Sequence, residues 1–103
     1  MDFSLDVHPQ SEETTLRVSG EFDGASAIVF AESIEANVAG RHGHVWNVDL
    51  TGVDFIDSSG LRALMAAWEL VGKGPNEMRL ITNAVVDRVL EISGLTDHFD
   101  VGI

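Results

Sequence analysis

Apolar and polar residues alternate at the start of the chain. Phe3, Leu5 and Val7 fall on one side, and Ser4, Asp6 and His8 on the other. A period of two predicts a half-buried strand. Pro9, Gln10, Ser11, Glu12 and Glu13 form a turn. Alternation then resumes over residues 14–19, with Leu16 and Val18 apolar, so the two segments predict a hairpin. Gly20-Glu21-Phe22-Asp23-Gly24 breaks the pattern. Over residues 25–38 the period becomes helical: Ala27, Phe30, Ala31, Ile34 and Val38 share one stripe, with Glu32 and Glu35 off it. Gly40 and Gly43 stop this helix and open a loop that holds His42 and His44.

Residues 45–50 are apolar apart from Asn47 and Asp49, which predicts a central strand covered on both faces or nearly so. A turn follows, and then a helix with Leu61, Leu64, Met65, Trp68 and Val71 at helical spacing. Gly72-Lys73-Gly74-Pro75 ends it. Residues 78–82 predict another short strand. Asn83 can cap a third helix, with Val85, Val86, Val89 and Leu90 as its buried side and Gly94 as its C-terminal cap. A last strand falls around residues 99–101. The order β-β-α-β-α-β-α-β predicts a small single-domain α/β fold over residues 1–103, a mixed β-sheet with parallel crossovers packed with helices.

Charge narrows the function. With 6 basic and 17 acidic residues, the formal net charge is −11. Nucleic acid is a poor partner for such a chain, because the phosphate backbone demands Lys and Arg. An anionic membrane surface is disfavoured for the same reason. No apolar run approaches the about 20 residues needed to cross a bilayer, and the first residues lack the basic start and apolar core of a signal peptide. Direct membrane insertion is not expected, and a cytoplasmic protein is. The absence of cysteine removes disulfides, thiolate metal sites and a cysteine nucleophile.

The candidate chemistry sits at Asp57-Ser58-Ser59-Gly60, where the central strand gives way to a helix. A helix start offers unpaired backbone N–H groups and the positive end of the macrodipole. A phosphoryl group is tolerated in such a place. A serine before a helix is more commonly an ordinary N-cap, and Ser58 can be read as no more than that, with Ser59 as the competing acceptor. The residues do not form the Gly-x-Ser-x-Gly elbow of a serine hydrolase, and neither a P-loop nor a dinucleotide fingerprint occurs. The serines therefore read as a substrate for another enzyme, and the chain is not expected to be an enzyme or to carry a cofactor. His42 and His44 flank Gly43 with no third ligand in view, so they read as loop residues, as do Asp97, His98 and Asp100; no metal site is expected.

The run from Val48 through Asp54-Phe55-Ile56-Asp57-Ser58-Ser59-Gly60-Leu61 resembles the signature of STAS domains, and more narrowly that of bacterial anti-sigma factor antagonists. Gly20-Glu21-Phe22-Asp23 and Ile92-Ser93-Gly94-Leu95 are similar to two further segments of that family, in the same order. The resemblance implies a STAS fold and a partner-switching role. Such a protein binds an anti-sigma factor that is also a serine kinase, and so frees a sigma factor. The kinase phosphorylates the position that maps to Ser58, with Ser59 as second choice, and a PP2C-type phosphatase reverses the step. The implied partner surface comprises Asp23, Asp57, Ser58, Ser59, Gly60 and Arg62. Asp57 either caps the helix or orients Ser58 or a kinase-bound metal ion. Gly60 permits either a close partner backbone or a tight strand-to-helix turn. Arg62 departs from the antagonists, which commonly carry a small residue there, and either pairs with a partner acid, pairs with the phosphate, or is a neutral surface change. Two other STAS roles fit the same residues: a docking subunit of a membrane lipid-transport ABC complex, and a scaffold component of a stress-signalling assembly.

Overall fold

Strands β1 (Ser4–Pro9) and β2 (Glu13–Phe22) form the expected antiparallel hairpin, with Leu5 opposite Val18 and Val7 opposite Leu16. These four side chains share one face because directly opposed residues point the same way. The computed structural model that gives this arrangement describes residues 3–38, 43–72 and 77–94. Helix α1 (Gly24–Val38) leads to β3 (Val45–Ile56), α2 (Ser58–Gly72) leads to β4 (Glu77–Ile81), and α3 (Ala84–Ser93) follows. The four-stranded sheet has the order β1-β2-β3-β4, with β2, β3 and β4 parallel. The fold is thus the mixed α/β domain that the sequence predicts. Its expected last strand, residues 99–101, lies outside the described residues, as do His42, Asp97, His98 and Asp100.

Both parallel crossovers step the same way across the sheet. Right-handed connections then bring α1 and α2 to one face, where they pack against each other. Phe30, Ile34 and Val38 of α1 and Leu61, Leu64, Ala67 and Val71 of α2 are buried in a single cluster with Leu16, Val18, Phe22, Trp46, Val48 and Leu50. The other face carries polar side chains: Asn47 donates to Glu13 at 2.8 Å, and Arg17 pairs with Asp49 at 3.4 Å.

Two breaks expected from the sequence are absent. Strand β2 runs on through Gly20, Glu21 and Phe22, and the chain turns only at Asp23. Strand β3 runs on through residues 51–56 instead of ending in a turn. The reason is a pair of bulges. Arg17 faces Asp49 but Ser19 faces Gly52, and Gly20 faces Val53 but Glu21 faces Phe55, so β3 holds an extra residue at each step. The bulges convert a period of two into a period of three, and Leu50, Val53 and Ile56 are all buried. Gly52 meets this geometry because a β-carbon there would stand 2.5 Å from Ser19 Oγ.

His44 also differs from expectation. Instead of lying in an open loop, it is buried, with Nε2 2.8 Å from Thr14 Oγ1 and its ring 4.7 Å from that of Trp46. Its carbonyl accepts from Glu77 N at 3.0 Å, which joins the starts of β3 and β4. In α3, Val86 and Leu90 are buried and Val89 half-buried, but Val85 is 41% exposed. The helix is short, and a strip four valines and leucines wide cannot all face the sheet.

Asn83 does more than cap α3. Its Oδ1 accepts from Val86 N at 2.9 Å, and its amide donates to Thr51 O at 3.0 Å and Val53 O at 2.8 Å. The paired register of β4 stops at Asp49 opposite Ile81, so this amide satisfies β3 carbonyls beyond the ladder. Gly94 closes the helix in the left-handed region at φ 72°, as its position after the last apolar residue predicts. Replacing Asn83 by Ala should cost about 2 kcal/mol, the sum of a lost cap and two carbonyls left without a donor. Replacing it by Ser should restore about half of that by keeping a capping oxygen. Urea unfolding of the two variants measures the difference; equal losses would mean that the cap contributes nothing.

Candidate functional site

The parallel strands β2 and β3 end level, with Phe22 opposite Ile56. The next residue of each is an aspartate, and each aspartate starts a helix. This is the carboxyl end of the parallel strands, where α/β sheets usually place their sites. Asp57 N–H reaches back to Phe22 O at 3.4 Å, which ties the two strand ends together.

Asp57 caps α2. Its Oδ1 accepts from Ser59 N at 2.9 Å and Gly60 N at 3.1 Å, and its carbonyl accepts the first helical bond from Leu61 N at 3.1 Å. Ser58 is therefore the first helical residue and not the cap. Its side chain is exposed, whereas Ser59 is half-buried. Ser59 faces the start of α1: a β-carbon on Gly24 would stand 3.7 Å from Ser59 Oγ. Gly60, expected on the partner surface, is buried. A β-carbon there would lie 2.5 Å from Phe22 O and 2.9 Å from Ile56 Cγ1, so its missing side chain serves the tight strand-to-helix turn. Arg62 lies one turn further along α2 and is exposed.

Asp23 caps α1 in the same manner. Its carbonyl accepts from Ala27 N at 2.8 Å and its Oδ1 from Ser26 N at 3.2 Å. The Ser26 hydroxyl stands 2.9 Å from Asp23 Oδ1 and 2.5 Å from Glu21 O, with one proton to share between them. The Ser26 amide, and after it the Ser26 hydroxyl, hold the Asp23 carboxyl below the ordinary aspartate range, outweighing the opposing effect of burial. Ser26 was not singled out from the sequence; its position three residues after a capping acid, as in a capping box, is the signal that identifies it. Beside Asp23 an open groove of about 210 Å³ is lined by Phe3, Glu21, Asp23, Ala25, Ser26 and Val29.

The site thus brings Asp23, Asp57, Ser58 and Ser59 to one edge, with Arg62 beside them. Of the two hydroxyls at the start of α2, Ser59 is half-buried and Ser58 is the more exposed. Among the described residues no imidazole stands near it: His8 pairs with Thr15, and His44 precedes β3, both toward the opposite end of the sheet. Asp57 also changes the electrostatics expected from the sequence. The N–H groups of Ser59 and Gly60, which would have been open to an anion, are already occupied by its carboxylate.

A family model described as "Mlab, STAS domain" matches residues 5–101. The chain belongs to the STAS domain family. An anti-sigma-B factor antagonist from Listeria monocytogenes is 27% identical over 103 residues, covering 98% of this chain and 90% of the relative. Among solved structures, an anti-sigma factor antagonist from Mycobacterium paratuberculosis superposes with a TM-score of 0.85 at 27% identity, covering 97% of this chain and 85% of that one. The unphosphorylated form of the anti-sigma factor antagonist SpoIIAA superposes with a TM-score of 0.79 at 18% identity, covering 99% and 89%, and so shares the fold. Among the described residues of this STAS domain no helix is long and apolar enough to cross a membrane.

Changing Gly60 to Ala should cost about 1–3 kcal/mol, because the new methyl meets a backbone carbonyl that cannot move aside. Asp57→Ala should cost about 1 kcal/mol as a lost cap. Chemical denaturation of both checks the ranking, and a neutral Gly60→Ala would contradict the close approach. For Asp23 the sign of the pH dependence is set by its depressed pKa. Its stabilising effect over Asp23→Asn should be full above about pH 4 and disappear as pH falls through the lower folded value. Thermal melts of both proteins from neutral to acid pH follow this convergence.

Proposed function

We propose that this STAS domain is an anti-sigma factor antagonist: it binds an anti-sigma factor that is a serine kinase, releases a sigma factor, and is switched off by phosphorylation of Ser58. The observation that carries this reading is the exposed Ser58 at the first position of α2, beside a cap already filled by Asp57. The names of the relatives, which are antagonists of anti-sigma factors, supply the partner class. The reading makes the chain a regulator and a kinase substrate in the cytoplasm, not an enzyme, and a PP2C-type phosphatase restores it.

The physical basis is local. A phosphoryl group adds about −1.5 to −2 charges at neutral pH. It cannot take the Ser59 and Gly60 N–H groups without displacing Asp57, and both are negative. The new charge therefore projects outward, into the surface that a partner covers. There it adds to the negative charge of the adjacent Asp57 and of Asp23 at the same end of the sheet, which repels an acidic partner surface and costs desolvation against an apolar one. Each tenfold loss of affinity needs only about 1.4 kcal/mol, within reach of one such charge at a dry interface. The greater burial of Ser59, turned toward α1, supports Ser58 as acceptor.

A docking subunit of a membrane lipid-transport complex is the second reading. One observation favours it: the matching family model is described as "Mlab, STAS domain" and not as an antagonist. That role needs no phosphate, so the two separate cleanly. Incubation with a cognate anti-sigma kinase and ATP should place one phosphate on the peptide containing Ser58, and Ser58→Ala should abolish it. Mass spectrometry reads the result; equal labelling of the Ala variant on that peptide would refute the assignment. Ser58→Asp should weaken kinase binding tenfold or more by calorimetry, and copurification with a transporter ATPase instead would support the second reading.

A further inference from the structure

We infer that Arg62 is a built-in counter-ion for a phosphoryl group on Ser58, holding it in an intrahelical pair. The inference rests on the proposed modification and assigns the residue that receives it. Ser58 and Arg62 are four residues apart in the unbroken helix α2, and both are exposed. Side chains on a helix lean toward its N-terminus, so Arg62 runs back over the turn that begins with Ser58. The residues between them leave that path open: Ser59 faces Gly24, Gly60 has no side chain, and Leu61 is buried.

The alternatives for each partner are few. The phosphate finds the nearest helix N–H groups taken, because Asp57 accepts from Ser59 and Gly60. Arg62 is the one basic residue in α2. The ion pairs found among the described residues are Arg17 with Asp49 and Arg79 with Glu77, neither involving Arg62. The one acid in α2, Glu69, is two turns away. An anion four residues before a cation is the favourable order on a helix. A guanidinium can also give two parallel hydrogen bonds to phosphate oxygens, which an ammonium cannot. Phosphorylation would then change the partner surface twice over. It adds an anion at Ser58, and it withdraws the positive charge of Arg62 from whatever that charge met before.

The test uses the full chain with phosphoserine placed at position 58 during translation, so it does not depend on finding the kinase. Phosphorus NMR across neutral pH reads the second ionisation of that phosphate. Asp57, Asp54, Glu21 and Asp23 are the acids nearest in chain or register, and they act equally in every variant, so differences isolate position 62. The midpoint should lie lower in the wild-type background than in Arg62→Ala by about 0.3 unit or more, because the cation favours the dianion. Arg62→Lys should fall between them, and about 1 M salt should shrink the gap. Equal midpoints at low salt in wild type and Arg62→Ala would overturn the inference. Absence of phosphate from Ser58 in cells would instead remove the proposed function while leaving the titration readable.

Discussion

The level ending of β2 and β3 is the constraint on which the rest of the molecule depends. Phe22 faces Ile56, and one residue later two aspartates turn the chain into two helices side by side. Reaching that alignment takes two bulges in β3, because β3 must cover more chain than β2 between the same two rows of the sheet. Keeping it takes a residue without a side chain at position 60, where the backbone of α2 comes against the Phe22 carbonyl. If either condition failed, α2 would lift from the sheet and Ser58 would no longer stand beside the start of α1.

The consequence is a site whose polar groups are mostly committed. Both helix starts are closed by carboxylates, and Ser26 and Ser59 are turned inward. Ser58 is the more exposed of the two hydroxyls at the start of α2. The proposed negative group on Ser58 would find the nearest helix N–H donors occupied by Asp57, with Arg62 one turn away, and so would act on the surface and not on the packing. Leu61, Ala63 and Leu64 behind it are buried in the main cluster and have no polar group to titrate. This is how a charge event at a rigid helix end can alter binding without refolding the domain. Membership of the STAS family and antagonists as relatives agree with a surface that is read by another protein.

Much of this was legible in the residues. The two helices that flank the site announce themselves by apolar spacing, and Asn83 and Gly94 mark the limits of α3 as capping chemistry requires. The bulged half of β3 was not legible. Leu50, Val53 and Ile56 recur every third residue, which is neither a strand period nor a helix period, and Gly52 beside Asp54 looks like a turn. Only pairing with β2 makes it a strand. His44 was hidden for a similar reason: a glycine-flanked histidine looks like loop, and its burial depends on Thr14, which is distant in the chain on β2, as well as on Trp46 two residues further on. At the site, residue types alone left Asp57 and Ser58 competing for the cap; the distances to Ser59 and Gly60 give it to Asp57. Gly60 looked equally suited to a partner or to a turn, and its distance from Phe22 O decides for the turn.

The central claim is that one modification at Ser58 changes charge and not fold. Amide NMR spectra of the chain with and without phosphoserine at position 58 test it most directly. The account predicts shifts confined to Asp23–Ser26 and Ile56–Arg62, with the signals of Leu16, Val48, Leu80 and Leu90 unmoved. Shifts spread through the sheet and α3, or loss of the α2 signals, would contradict it.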